Sequence, residues 1–434
     1  MAEAAARCIR FIGETPQRGA ERVTSIDSRP AGRGRRRACG ALLLLLAGLA
    51  GAAAQAAAPV AVAPQARGVW RFLDDGVAFD NRQEGARLGG VRRAGDGRYG
   101  VAVTPETQPI NPSPWYGFRV AAQRPRTVEI ALDYGAFRHR YRPWLRREGE
   151  AGWRPAGEDE FALGGDGVAR LALALDGRAV EVFAQPPIGI GEVERWTAAL
   201  ADRVGAQVET IGRSVQGRPL QELAFGDASA PDLVLVLGRQ HPPEITGMRA
   251  LLAFVDALAG DDPRARDFRA RHRVLVLPLL NPDGVAEGHW RGNANGVDLN
   301  RDWGPFREPE TRAAAAAIAA HLDGGARRLA FAIDFHSTWY DILYTVTEDP
   351  SRAPGGLLRG WMDDLRARFP ERIQERPGLA AGSAVFKNWA FRAYGAPVVT
   401  YEVGDATGEA ETAELAGFAA ERLMARLAAR EAAP

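Results

Sequence analysis

Four apolar runs in the second half of the chain have the length and the Val, Leu and Ile content of buried β-strands. They occupy residues 233–237, 273–280, 329–333 and 397–401. Helical segments lie between the runs, including the alanine-rich residues 311–322. Continuous apolar strands separated by helices are typical of a parallel sheet that is covered on both faces. We therefore predict an α/β domain with three layers, α/β/α, over residues 188–431.

The preceding part of the chain has short alternating runs and frequent turn residues in place of a helical period. Residues 128–132 and 180–183 alternate apolar and polar side chains, and Asp176-Gly177 is a turn signal between such runs. This pattern predicts a β-sandwich over residues 66–185. A linker rich in proline and glycine follows at residues 186–191, and residues 192–204 have helical spacing.

The first 56 residues have the composition of a secretory signal peptide. A cluster of arginines precedes an apolar run at residues 41–54, and small residues at 54–56 are suited to cleavage. A membrane anchor is the alternative, but the run is short and is diluted by Gly48 and Gly51. We therefore expect an exported protein, periplasmic or secreted, without stable membrane insertion after leader cleavage. Cys8 and Cys39 both fall in the leader, so the mature chain would contain no disulfide or cysteine chemistry.

The charge of the chain argues against one class of partner. The residues after position 56 carry a small net negative charge without a concentrated basic segment. A nucleic-acid-binding protein normally needs such a basic face. We therefore expect no nucleic-acid partner.

Polar residues follow the apolar runs at the ends that a parallel sheet brings together. His241 and Glu244 follow the first run, His336 follows the third, and Glu402 follows the fourth. We predict that His241, Glu244 and His336 are ligands of a catalytic Zn²⁺ ion, and that Glu402 is the general base for a water at the metal. Each residue alone also fits a simpler role, a structural histidine or a salt bridge at a strand end.

Three motifs lie between these residues. Residues 281–284 are Asn-Pro-Asp-Gly, residues 296–303 are Gly-Val-Asp-Leu-Asn-Arg-Asp-Trp, and residues 308–311 are Glu-Pro-Glu-Thr. In this order and combination they resemble the zinc metallocarboxypeptidases of the M14 family. The resemblance implies a mixed, largely parallel sheet and a peptide substrate that is cleaved at its C-terminus.

The resemblance also implies roles for residues near the motifs. Arg291 would polarise the scissile carbonyl and stabilise the oxyanion. Asn300 and Arg301 would hold the terminal carboxylate of the substrate. Asp298 would orient His241 by accepting its second ring N–H.

The sequence of the predicted sandwich narrows the resemblance to one branch of the family. Residues 79–81, 115–120 and 141–144 look like the β-sandwich that precedes the catalytic domain in cytosolic carboxypeptidases, the branch that trims acidic peptide tails. Lys387, the only lysine, lies 15 residues before Glu402, where enzymes of this family set their preference for the C-terminal side chain. A buried cation there would select Glu or Asp, whereas the alternative is a solvated surface lysine.

Three features depart from the family pattern. Pro243 stands between the first two predicted ligands, where pancreatic-type members carry an arginine. Residues 380–389 contain no tyrosine, although pancreatic-type members carry a mobile substrate-binding tyrosine there, and Tyr340 and Tyr394 are the candidate substitutes. The predicted leader also contrasts with a cytosolic enzyme and favours an exported relative.

These patterns together predict a zinc metallocarboxypeptidase that prefers acidic C-terminal residues. Two alternatives stay open: a zinc-dependent N-acyl amino acid deacylase that uses the same site, and a catalytically inactive binding module. Release of C-terminal residues from peptides of several lengths would favour the peptidase. Activity on short acyl amino acids alone would favour the deacylase, and zinc analysis with a turnover assay would test the binding module.

Overall fold

The computed structural model describes residues 62–353, 355–378 and 382–431. The predicted signal peptide, residues 1–56, therefore lies outside the described residues. Within the described ranges, no helix combines the length and the apolar character that crossing a bilayer requires.

Residues 69–183 form two β-sheets and no helix, as the alternating pattern predicted. The strands are β1 (Val69–Phe72), β2 (Val77–Asp80), β3 (Gly90–Gly95), β4 (Arg98–Ala102), β5 (Gly117–Ala122), β6 (Arg126–Asp133), β7 (Trp144–Arg147), β8 (Arg154–Pro155), β9 (Phe161–Leu163), β10 (Ala169–Leu175) and β11 (Val180–Phe183). One sheet has the order β1-β2-β5-β11-β7-β8 and the other the order β3-β4-β6-β10-β9. All pairs are antiparallel except β4 with β6. Val128, Ile130 and Leu132 of β6 are buried between more exposed neighbours, which is the period expected of a strand with one face on a core.

The rest of the chain forms a third sheet with helices. Its strands are β12 (Val208–Arg213), β13 (Pro219–Gly226), β14 (Asp232–Gly238), β15 (His272–Leu277), β16 (Arg328–Thr338), β17 (Ile342–Thr345), β18 (Gln374–Pro377) and β19 (Val398–Gly404). The helices are α1 (Ile190–Val204), α2 (Ile245–Leu258), α3 (Pro263–Arg269), α4 (Pro282–Glu287), α5 (Pro309–Leu322), α6 (Leu357–Arg368), α7 (Phe386–Tyr394) and α8 (Glu409–Glu431). Short 3₁₀ turns cover Leu299–Arg301, Asp323–Gly325 and Pro350–Arg352.

The four predicted strands lie side by side and are parallel. The sheet order is β12-β13-β15-β14-β16-β19-β17-β18, and β15, β14, β16 and β19 run in the same direction. The antiparallel pairs occur toward the edges of the sheet, which makes it mixed but largely parallel in its centre. The α/β fold class is thus confirmed.

Apolar side chains on both faces of this sheet are covered by helices. Val234 and Val236 of β14 belong to a core that also contains residues of α2 and α8. Leu235 and Leu237, which point the other way, belong to a second core with residues of α5 and α7. This double burial explains why the central strands are continuously apolar in sequence.

Two central strands are longer than the apolar runs suggested. β16 continues to Thr338 and β19 continues to Gly404, so His336 and Glu402 lie inside strands and not after them. The two residues are direct partners in the register of the parallel pair. Backbone pairing therefore fixes the position of a predicted metal ligand relative to that of the predicted base.

Candidate metal centre and active site

The three predicted metal ligands meet at one end of the central strands. His241 and Glu244 lie in the turn between β14 and α2, and Glu244 directly precedes the first residue of that helix. His241 Nδ1 is 2.8 Å from Glu244 Oε1, and His336 Nδ1 is 2.7 Å from Glu244 Oε2. The two Nδ1 atoms are 3.2 Å apart. All three side chains are buried, and their donor atoms lie within 4.8 Å of one another.

Each of the two imidazoles also contacts a further carboxylate through its second ring nitrogen. His241 Nε2 is 2.8 Å from Asp298 Oδ1, and His336 Nε2 is 2.8 Å from Asp334 Oδ2. Such pairs fix the ring so that the other nitrogen faces the metal. Asp298 was expected in this place, whereas Asp334 was not predicted. Its signal was in the sequence, because a residue two positions before His336 in a strand lies on the same face.

The electrostatics of this cluster favour a bound cation. Burial opposes the charged form of Glu244, but the adjacent His241 and His336 outweigh it and hold the pKa of this carboxyl well below its usual range. Burial also opposes protonation of His336, yet Asp334 and Glu244 raise its pKa well above the ordinary value. Two imidazole nitrogens and one carboxylate in mutual reach are a donor set that fits zinc.

Glu402 lies across from His336 on the neighbouring strand. Its Oε2 atom is shielded from solvent and has no hydrogen-bond partner among the described residues. Burial raises the pKa of Glu402 to about 7, although the charge of His336 opposes this shift. The carboxylate thus has a free acceptor atom and a pKa suited to proton transfer near neutral pH.

A single cavity of about 440 Å³ collects most of the predicted site residues. Those that line it are His241, Glu244, Arg291, Asn300, Arg301, Lys387 and Glu402. His336 lies beneath the wall and is fully buried, and Asp298 lines a smaller neighbouring depression. The cavity therefore places the metal ligands, a carboxylate and several cations around one volume.

Residues 193–356 match the family model Peptidase_M14, zinc carboxypeptidase. This stretch of the chain is therefore similar to the zinc carboxypeptidases of the M14 family. The ligand trio and the motifs of residues 281–284 and 296–303 fall inside the matched residues, while Glu402 follows them.

Sequence relatives of the carboxypeptidase domain include cytosolic carboxypeptidases. The chain is 31% identical over 138 residues to cytosolic carboxypeptidase 6 of Mus musculus, an alignment that covers 30% of this chain and 26% of the relative. It is 25% identical over 262 residues to cytosolic carboxypeptidase 2 of Danio rerio, which covers 52% of this chain and 36% of the relative. The chain thus spans about a quarter to a third of the length of these relatives.

The fold is also found in a solved bacterial structure. The metallo-carboxypeptidase from Burkholderia cenocepacia superimposes with a TM-score of 0.69 at 19% identity, and the match covers 82% of this chain and 100% of that one. The likeness therefore extends beyond the carboxypeptidase domain into the N-terminal sheets.

The predicted substrate-binding residues of the carboxypeptidase domain are held by defined contacts. Arg291 donates from Nε to Asp298 Oδ2 at 2.6 Å, so Asp298 serves both His241 and Arg291. Asn300 accepts the backbone N–H of Phe386 at 2.9 Å, and its Nδ2 is 3.2 Å from His336 Nε2. The side chain of Arg301 is 51% exposed, which leaves its guanidinium accessible at the cavity mouth.

Lys387 is buried in the cavity wall, so the alternative of a solvated surface lysine is wrong. The residue lies on α7 and is 6% exposed. Its Nζ donates to the carbonyl of Thr345 at 3.0 Å and also to that of Gly378. Burial lowers the pKa of Lys387 to about 8, and Glu348 opposes the shift. At pH 7 the side chain is therefore mostly charged.

The tyrosine that lines the cavity is neither Tyr340 nor Tyr394, the two candidates from the sequence. Tyr340 is 41% exposed and its hydroxyl accepts from Arg376, while Tyr394 packs against Trp389 on α7. Among the described residues, Tyr344 of β17 is the tyrosine that lines the cavity. Its position follows from β17 pairing with β19 beside Glu402, an edge pairing that the sequence pattern did not predict.

The β-sandwich also contributes to the cavity wall. Asn111, Pro112, Ser113 and Arg140 line it together with the metal ligands. Arg140 donates from Nε to Asp405 Oδ2 at 2.7 Å and from Nη1 to Ser113 Oγ at 2.9 Å. Sequence reasoning missed these residues because their partners lie in the other sheet system and leave no local pattern.

Proposed function

We propose that the chain is a zinc metallocarboxypeptidase that removes the C-terminal residue of peptides. The observation that carries the proposal is the single cavity that contains His241, Glu244, the base candidate Glu402 and the cations Arg291 and Arg301. A ligand trio alone would fit many zinc hydrolases. Cations that can hold a terminal carboxylate beside the trio favour an exopeptidase.

The residues of the cavity divide the chemistry between them. Zinc, when bound, would acidify a water molecule and polarise the scissile carbonyl. Glu402 would take the proton from the attacking water through its free Oε2 and pass it to the leaving amine. Arg291, fixed through Nε by Asp298, would stabilise the negative charge that develops on the carbonyl oxygen. Asn300 and Arg301 would hold the terminal carboxylate of the peptide.

The proposal extends to a preference for acidic C-terminal residues. Lys387 supports it, because its buried ammonium group lies in the wall of the same cavity. Two backbone carbonyls accept hydrogen bonds from Nζ, and its third N–H has no partner among the described residues, which suits it to a ligand. A partly desolvated ammonium would attract a Glu or Asp side chain and repel Lys or Arg.

A mixed peptide library incubated with the zinc-loaded protein tests the activity. Mass spectrometry should find the loss of single C-terminal residues from peptides of several lengths. Hydrolysis of short N-acyl amino acids alone would support the deacylase instead. Stoichiometric zinc without turnover on either substrate class would support the binding module.

A substitution at Lys387 tests the preference. Lys387→Met keeps most of the length of the unbranched side chain and removes the charge, so kcat/KM should fall at least about tenfold for a peptide ending in Glu. The same peptide ending in Leu is the control and should change by less than about threefold. If both peptides are affected equally, Lys387 does not select the substrate.

We also propose that the protein is exported. The arginine cluster and the apolar residues 41–54 support this proposal. A fusion of residues 1–70 to a periplasmic reporter enzyme should be active, and the same fusion with Leu44→Arg and Leu45→Arg should be retained inside the cell. Activity of the reporter in both fusions alike would contradict export through this segment.

A further inference from the structure

Glu106 of the β-sandwich binds the backbone of the loop that carries Arg291. The residue follows β4 and reaches a segment about 185 positions later in the chain. Its Oε2 accepts from the N–H of Trp290 at 2.8 Å, and its Oε1 accepts from the N–H groups of Arg291 at 2.9 Å and Gly292 at 2.7 Å. One carboxylate thus holds three consecutive amides with charge-assisted hydrogen bonds.

Neighbouring contacts anchor the same loop to the sandwich. The indole N–H of Trp290 donates to the carbonyl of Trp115 at 2.9 Å, and its ring meets Phe137 edge to face at 5.1 Å. Trp290 is fully buried between the two sheet systems. Burial lowers the pKa of the nearby Arg87, and the negative charge of Glu106 opposes that shift, so a cation and a carboxylate stabilise each other beside the loop.

Arg291 is therefore held at two points. Glu106 fixes its backbone, and Asp298 binds the Nε of its guanidinium. Arg291 lines the cavity that also contains the metal ligands His241 and Glu244. A side chain fixed at both ends has its remaining N–H groups preorganised for one position, which is what stabilisation of a developing charge requires.

We propose that Glu106 is a positioning residue for Arg291, through which the β-sandwich supports catalysis in the other domain. The inference rests on the proposed carboxypeptidase activity, since it deepens the role of Arg291 in that reaction. Glu106 is not among the residues that line the cavity, and its hydrogen bonds go to the backbone of the loop, so it would act only through that backbone. A displacement of a catalytic group by about 1 Å can lower the rate by about a hundredfold, so the support is expected to affect kcat.

The first test compares Glu106→Gln with the matched variant Glu84→Gln in the zinc-loaded full chain. Glu84 accepts the N–H of Ile190 at 2.7 Å at the same domain junction, whereas the backbone N–H groups of residues 290–292 donate to Glu106. Glu106→Gln should lower kcat at least about tenfold with KM within about twofold and with zinc still stoichiometric. Glu84→Gln should leave kcat within about twofold.

The second test asks whether Glu106 acts through Arg291. In an Arg291→Ala background, Glu106→Gln should lower kcat by less than about twofold further, because the group it positions is gone. An equal loss in both backgrounds would overturn the inference and would assign Glu106 a structural role that is independent of Arg291.

A third measurement does not depend on activity. Amide hydrogen exchange at Trp290, Arg291 and Gly292 should accelerate at least about tenfold in Glu106→Gln and stay unchanged in Glu84→Gln. Unchanged exchange in the folded Glu106→Gln protein would overturn this inference alone. A wild-type protein that cleaves no peptide would instead overturn the proposed function, and the exchange result would still decide whether Glu106 holds the loop.

Discussion

At the scale of single residues, the sequence identifies the three metal ligands but only some of the residues that surround them. His241, Glu244 and His336 could be predicted because each follows or ends an apolar run. Asp298 came from a motif, and Asp334 could have been found from the strand period of two. Arg140 and Tyr344 could not, since they reach the cavity through a domain contact and an edge pairing.

Glu402 and His336 face each other across one strand pair but should fail in different ways when replaced. Glu402→Gln should retain stoichiometric zinc and lower kcat by roughly two to four powers of ten, because only the proton acceptor is lost. His336→Ala should lose the metal, since two protein ligands hold zinc poorly. Elemental analysis of both purified variants, together with peptide turnover, distinguishes the two roles. Near wild-type kcat in Glu402→Gln would remove it as the base.

At the scale of elements, the central strands were predictable and the edges were not. Buried parallel strands are apolar on both faces, so β14, β15, β16 and β19 are visible as continuous runs. β12 and β18 carry only exposed or intermediate side chains, and β17 is largely buried but only four residues long, so none of the three has a distinct period. The exact ends of β16 and β19 also escaped prediction, because the polar residues of the site continue the strands.

The contact between α2 and β16 depends on a glycine. A Cβ atom at Gly247 would lie 2.3 Å from the backbone carbonyl oxygen of His336, so any side chain would push the helix away from the strand. We expect Gly247→Ala to cost at least about 2 kcal/mol of unfolding free energy and to weaken zinc binding, since His336 is a ligand. Urea unfolding and competition with a zinc chelator would measure both effects.

Gly417 in α8 provides the matched control for that prediction. A Cβ there meets nothing within 4 Å, and the residue lies in the interior of a long helix. Gly417→Ala should therefore stabilise the protein by about 0.5–1 kcal/mol through helix propensity alone. Stabilisation by both alanines would contradict the close packing of α2 on β16.

At the scale of the whole molecule, the sequence predicts an all-β region followed by an α/β region, but it does not predict the contacts between them. The change from strands to alternating strands and helices falls between β11 and α1, close to the expected linker. Contacts that join the regions connect residues far apart in the sequence, 184 positions for Glu106 with Trp290 and 265 positions for Arg140 with Asp405. Such pairs are set by the docking of two completed sheets, which leaves no periodic signal in the sequence.

The ion pair between Arg140 and Asp405 should make the stability of the molecule depend on pH. The two side chains are 7% and 10% exposed. Burial raises the pKa of Asp405 to about 6, although Arg140 opposes the shift. Because the folded-state pKa lies above the unfolded value, this carboxyl stabilises the fold most below about pH 4, and the contribution is lost as the pH rises through about 6.

Removal of the Arg140 guanidinium should increase this loss of stability at higher pH. In Arg140→Ala the pKa of Asp405 should rise further, so the variant should be only slightly destabilised at pH 5 and destabilised by about 3–5 kcal/mol at pH 8, where an unpaired charge would be buried. Urea unfolding at both pH values measures the difference. In the double variant Arg140→Ala, Asp405→Asn, the charge is gone, and the extra loss between pH 5 and pH 8 should disappear. If the double variant keeps that loss, the pH dependence has another source than the buried carboxylate at the domain junction.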